Sequence, residues 1–97
     1  MQFPFLSITY KLPVELGSGN ISIFEVNEEN PRQKFNGTNK GYLIIENDKK
    51  IRINIFGSTF NKPNQLYHAV VEDGFVNHKN TEEPLLGFAF YFRTGMD

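Results

Sequence analysis

The side chains of this sequence best suited to chemistry are two histidines and a group of four carboxylates. His68 falls in an alternating run, on the side opposite Tyr67 and Ala69, and His78 falls in a polar stretch. Zinc takes three or four ligands from histidine, cysteine or carboxylate. Two histidines on separate elements, in a chain without cysteine, do not make up that set and read as solvated or hydrogen-bonded imidazoles. Glu72, Asp73, Glu82 and Glu83 could gather at one end of the fold. Calcium asks for six or more oxygen ligands, and an ion at a domain junction would suit an extracellular array. Glu82 and Glu83 are adjacent, however, with Lys79 near them in the chain, so a solvated acidic loop is the better reading. General acid–base work needs two carboxylates in a shielded cleft with separated pKa values, and nothing in this spacing promises one. The chain carries no G-x-S-x-G elbow, phosphate loop or dinucleotide fingerprint. We therefore expect no enzyme, no metal site and no cofactor.

Two further kinds of site rest on single residues. Asn20-Ile21-Ser22 and Asn36-Gly37-Thr38 match the glycosylation sequon, with Asn36 expected in an exposed turn and Asn20 at a less accessible strand start. Among 11 asparagines, chance matches are expected, so the sequons alone say little. The aromatics are more telling. Phe56 lies on the strand side that carries Arg52 and Asn54, Phe60 and Phe75 fall in loops, and Tyr91 points outward beside Ala89. Exposed together, these four would form a patch for a protein or a sugar, since large exposed apolar patches mark contact sites. Capping the ends of the fold, or meeting a neighbouring domain, is the plainer role.

The elements that must position these residues are strands. Side chains alternate across a strand, so period-2 runs lay one row on a core. Leu66–Val71 puts Tyr67, Ala69 and Val71 on one side. The segment from Phe88 to Arg93 puts Phe88, Phe90 and Phe92 on one side and Ala89, Tyr91 and Arg93 on the other. Lys50–Gly57 points Ile51, Ile53 and Ile55 inward. Phe5–Lys11, Asn20–Val26, Arg32–Phe35 and Gly41–Glu46 complete a set of about seven strands. In the second strand Ile21 and Ile23 oppose Phe24 and Val26, which suggests a bulge or burial on both faces. Turn signals separate the runs: Gly17-Ser18-Gly19-Asn20, Asn36-Gly37 through positive φ, and Asn47-Asp48. From Asp73 to Gly87 we expect mostly loop, with Phe75, Val76 and Leu85 as plugs beneath it. No apolar 3.6-residue period lasts three turns. Short strands with turns between them predict an all-β, antiparallel two-sheet sandwich.

Ninety-seven residues suit one domain, 1–97, large enough to fold without staples. The absence of cysteine leaves the compartment open. A net charge of −1, from 10 basic and 11 acidic side chains, is not the footprint of a nucleic-acid binder. No run approaches the ~20 apolar residues of a membrane span. Nor does the start have the form of a signal peptide. A strand pattern within five residues of Met1 leads us to expect one module of a longer exported chain. Its first strand would then be an open edge, with edge-strand dimerisation as a consequence.

The order of these features resembles the bacterial Ig-like domain of S-layer and other large surface proteins. The residues that carry the likeness are Thr9-Tyr10-Lys11-Leu12-Pro13-Val14, then Gly17-Ser18-Gly19-Asn20-Ile21, then the run from Leu66 to Val76, and last Phe88-Ala89-Phe90-Tyr91-Phe92-Arg93-Thr94. The chain departs from the family pattern at Asn77-His78-Lys79-Asn80, in lacking tryptophan from the final strand, and in a longer loop from Gly57 to Asn64. The opening strand is also shorter than the family's, with little ahead of Phe5, and the long loop would mark a divergent branch, eukaryotic relatives included. The resemblance implies an Ig-like sandwich of about seven strands, extracellular or at the cell surface. It would act as a structural or adhesive spacer beside neighbouring domains of the same chain. The alternative is a carbohydrate- or protein-binding module that uses outward aromatics.

Overall fold

A computed structural model describes residues 5–39, 41–55, 59 and 64–93. Nine strands run through them: β1 (Phe5–Thr9), β2 (Val14–Leu16), β3 (Asn20–Glu25), β4 (Gln33–Asn36), β5 (Leu43–Glu46), β6 (Lys50–Asn54), β7 (Leu66–Val71), β8 (Val76–His78) and β9 (Phe88–Arg93). Each of the seven runs read from the sequence has a counterpart here, and β2 and β8 are additional. All the pairings are antiparallel. One sheet has the order β1-β6-β5, a second β4-β3-β7-β9, and β2 pairs with β8. The architecture is all-β and sandwich-like. Its smallest extent, 21 Å, suits two sheets about 10 Å apart with side chains on their outer faces.

Alternation decides which residues fill the space between the sheets. Ile51 and Ile53 of β6, with Ile55 just beyond it, are buried, whereas Arg52 and Asn54 are half-exposed. Across the core, Ile21 and Ile23 of β3 stand with Tyr67, Ala69 and Val71 of β7. Ser22 and Phe24, on the other side of β3, are also covered, since β3 is an inner strand flanked by the side chains of its neighbours. Burial on both faces, rather than a bulge, accounts for the mixed pattern of that strand.

The Gly17-Ser18-Gly19 segment is not the turn that its composition suggests. The offset pairing Val14 with His78 is the one that pairs Ile21 with Val71, so the β2–β8 and β3–β7 ladders share a single register. Between them Gly17 N–H donates to Phe75 O (2.8 Å), Gly19 N–H to Gly74 O (2.9 Å) and Glu72 N–H to Asn20 O (2.8 Å). The chain from Val14 to Glu25 is thus one long arm laid against Tyr67 to His78. Glycine is needed for closeness: a Cβ on Gly17 would stand 2.1 Å from Gly74 O. Gly37 has the same role, since its Cβ would stand 2.1 Å from Gly17 O, and neither it nor Asn36 has a positive φ. Positive φ does occur at Asn47 and Asp48, at the hairpin between β5 and β6, as their residue types predict.

The stretch from Asp73 to Gly87 is likewise more ordered than a loop. Leu85 N–H donates to Val76 O (3.1 Å), His78 N–H to Glu83 O (2.8 Å) and Gly74 N–H to Leu85 O (2.9 Å). With the Asn77–Pro84 bridge, these bonds fold the segment back on β8 as a hairpin, with Glu82 at φ 61° in its turn. Short polar runs hide such hairpins, because the backbone and not the side chains holds them. Phe75 and Val76 are buried and Leu85 packs on the core, as the plugs expected of them.

Candidate functional site

The outer face of the four-stranded sheet carries a row of rings that register alone brings together. Phe24 of β3 stands opposite His68 of β7, and His68 stands opposite Tyr91 of β9. The Phe24 and His68 rings stack 4.8 Å apart at 8°, and His68 and Tyr91 lie 5.4 Å apart at 38°. Rings stacked at the spacing of neighbouring strands stand upright on the sheet and spend their faces on each other. His68 is covered from both sides, and its Nδ1 is buried with no hydrogen-bond partner among the described residues. Tyr91 ends the row on the edge strand and is 67% exposed, so one of its faces is open. Beside it, Arg93 Nη1 donates to Asn64 O (2.8 Å), which holds the guanidinium over its own molecule.

A second ladder of rings runs along the inner side of β9. Phe88 and Phe90 lie 5.9 Å apart, Phe90 and Phe92 6.0 Å, and Phe92 stacks on Tyr67 at 5.8 Å. The alternation expected this row to be sealed in the core, but Phe88 stays 41% exposed and Phe90 and Phe92 are half-buried. The reason is position. β9 ends its sheet, with β7 on one side and no strand on the other among the described residues. Leu86, just before it, is 82% exposed. At the near end Tyr10 meets Phe88 edge-on, with centroids 6.4 Å apart. Burial pushes the Tyr10 phenol up to about 12, and its hydroxyl has no hydrogen-bond partner among the described residues.

The four aromatics singled out in the sequence do not form one patch. Phe75 is fully buried in the core, drawn in by the hairpin on β8, so it takes no part in any surface. Phe56 and Phe60 lie outside the described residues. Of the two that are described, Tyr91 stands in the open, and its neighbours in the row are Phe24 and His68.

The two sequon asparagines sit together. Asn36 Nδ2, the atom a glycan would take, donates to Ser18 O (2.7 Å) and to Asn20 Oδ1 (3.1 Å), while Asn20 Nδ2 donates to Glu72 Oε1 (3.3 Å). Asn36 Oδ1 accepts from Thr38 N–H (2.9 Å), which makes the turn an Asx turn.

Among the described residues, no three histidine, aspartate or glutamate side chains converge as a metal site would require. Asp73 Oδ1 accepts from Gly87 N–H (2.6 Å), and His78 Nδ1 accepts from Asn80 N–H (3.1 Å). The buried polar side chains meet elsewhere. Arg32 Nη1 lies 3.6 Å from Glu25 Oε2, its Nε donates to Thr59 O (2.9 Å), and Thr59 Oγ1 donates to Gln33 Oε1. This cluster ties Thr59 to β3 and β4. No described helix is long and apolar enough to cross a membrane.

Comparison with known proteins finds no family model, no curated protein and no solved structure that matches this chain. The geometry of β9 and its flanks therefore carries the functional argument. Sequence reasoning isolated Tyr91 but missed Phe24 and His68 as its companions, since their meeting depends on strand register. It also missed Leu86, whose apolar neighbour and position before a glycine were the available signal.

Proposed function

We propose that this domain is a non-enzymatic structural or adhesive module of the Ig-like type, working at a cell surface or outside the cell as a spacer and protein-interaction domain. The observation that carries this reading is the division of the apolar side chains. One set is sealed between the sheets, and among the large apolar side chains left exposed, the two most open, Leu86 and Tyr91, lie with Phe88 on or just before the edge strand β9. Large apolar side chains left exposed along a sheet edge mark contact with another macromolecule. The spacer role draws on the shared register of the β2–β8 and β3–β7 ladders, a long hydrogen-bonded ribbon that resists being pulled apart piecemeal.

The test is extension of the domain between reference modules in a single-molecule instrument. The expected record is one abrupt unfolding event that releases about 300 Å of chain, the length of 97 residues less the folded span. Gradual lengthening without a force peak would remove the spacer reading.

A second reading, recognition of a carbohydrate, is favoured by the open face of Tyr91. Sugar platforms present ring faces outward, and Tyr91, 67% exposed at the end of the Phe24–His68–Tyr91 row, offers such a face. A glycan array probed with the domain and with Tyr91→Ala separates the two readings. Specific binding lost in the variant would move the assignment to sugar recognition, and silence in both leaves the protein-interaction reading ahead.

A further inference from the structure

We propose that β9 is a self-pairing edge. Two copies of this chain would join antiparallel through Phe88–Arg93 about a two-fold axis at Phe90, making one continuous eight-stranded sheet from two four-stranded ones. This deepens the reading of the domain as an interaction module, on which it rests, by naming its partner as a second copy.

The edge itself makes the first argument. A strand at the end of a sheet presents free N–H and C=O groups, and proteins usually blunt such edges with lysine, proline, a bulge or very short length. β9 is six residues long, regular in its pairing with β7, and holds neither proline nor lysine. Its one charge, on Arg93, is turned to Asn64 O of its own chain. The opposite edge of the same sheet, β4, is four residues long and carries an exposed lysine, Lys34.

Self-complementarity makes the second argument. A two-fold axis at Phe90 sets Phe90 against its own copy, Phe88 against Phe92 and Ala89 against Tyr91. Directly opposed residues of an antiparallel pair share a face, so the phenylalanine ladder continues on the inner side and the smaller residue meets the larger on the outer side. No pair between Phe88 and Phe92 brings two charges together. An axis at Tyr91 would instead set two tyrosines head-on and place Ala89 against Arg93. Phe88, at one end of the inner ladder, is 41% exposed in one copy, and an added strand would cover it.

Sedimentation of the whole chain over about a hundredfold range of concentration tests this, because dimer population follows mass action. We expect the mass to rise from 11.2 kDa toward twice that value. Ala89→Glu with Tyr91→Glu places carboxylates opposite one another on the solvent face and is expected to weaken association at least about tenfold. Ala89→Glu with Tyr91→Lys creates two opposite-charge pairs across the axis and is expected to restore it. A second measurement does not depend on those charges. The chain has no cysteine, so Ala89→Cys mixed with Tyr91→Cys should form a mixed disulfide, whereas neither variant should cross-link alone. A mass that stays at 11.2 kDa over the whole range would overturn the self-pairing while leaving the extension behaviour of the domain untouched. Association that survives in the double-glutamate variant, or cross-linking as fast in Ala89→Cys alone as in the mixture, would overturn it as well.

Discussion

Tyr10 shows how one residue can report on the packing around it. Its ring fills the gap beside Phe88, and its hydroxyl is buried there without a hydrogen-bond partner among the described residues. A buried hydroxyl left unpaired costs free energy that a phenylalanine would not incur. We expect Tyr10→Phe to leave stability at neutral pH unchanged or to raise it by up to about 1 kcal/mol, read from the urea midpoint. The pH dependence has a definite sign. An unfolded tyrosine releases its proton near 10, whereas in the folded chain Tyr10 keeps it up to about 12. Between these values the unfolded state binds fewer protons than the native state, so stability falls as pH rises through that window and is unaffected below it. The loss should come to about 1 kcal/mol once the partial solvent access of the ring is allowed for, and Tyr10→Phe should lack it. A wild-type midpoint that does not move between pH 10 and 12 relative to the variant would remove the buried-phenol account. Gly37 carries a different constraint at the same scale. A methyl group there meets Gly17 O and Phe75 O of the adjoining backbone, which cannot swing aside as a side chain does. Gly37→Ala is expected to cost about 2–4 kcal/mol, and a change within 0.5 kcal/mol would show that the two backbones can part.

At the scale of elements, β6 illustrates what could be read from the sequence and β2–β8 what could not. The alternation of Ile51, Ile53 and Ile55 with Arg52 and Asn54 is a local signal. The structure places the isoleucines inward because an inner strand with one apolar side has only one way to face. Ile53→Ala should therefore cost about 2–5 kcal/mol in thermal or urea unfolding, and a loss below 1 kcal/mol would mean the core collapses around the gap. Glycine was harder to read. Gly17-Ser18-Gly19 has the composition of a turn, but its glycines serve backbone contact with residues more than fifty positions away. No local pattern announces that kind of contact. Register was hidden for the same reason: Phe24, His68 and Tyr91 are each visible as strand residues, yet only long-range pairing makes them a row. The burial of Phe75 followed from backbone bonds between Val76 and Leu85, which leave no side-chain signature. Edge position was the remaining hidden variable. The three phenylalanines of β9 read as core, and each does face it, but β9 has one neighbouring strand among the described residues and leaves Phe88 41% exposed.

The molecule as a whole is coupled through its long arm. Val14–Leu16 pairs with β8, the same stretch of chain continues as β3 against β7, and Gly37 N–H reaches Gly19 O to bring in β4. Opening any part of the ribbon removes the support of the next, so the β2–β8 ladder and the four-stranded sheet should unfold as one unit. The core cluster extends that coupling to β1-β6-β5, since Ile51 and Ile53 share it with Ile21, Ile23 and Tyr67. Native-state hydrogen exchange tests this directly. The hydrogen-bonded amides of the inner strands β3, β6 and β7 should exchange only by global opening, with one common free energy equal to that of urea unfolding. Amides at the outer edges of β1, β4 and β5 should exchange far sooner, because local fraying suffices there. Two distinct plateaus, one for β6 and another for β3 and β7, would mean that the sheets open separately and that the shared core does not bind them. The outward-facing amides of β9 make the experiment sharper. In a monomer they should behave like those of the other edges, and under self-pairing their protection should rise with protein concentration while that of β4 and β5 stays fixed.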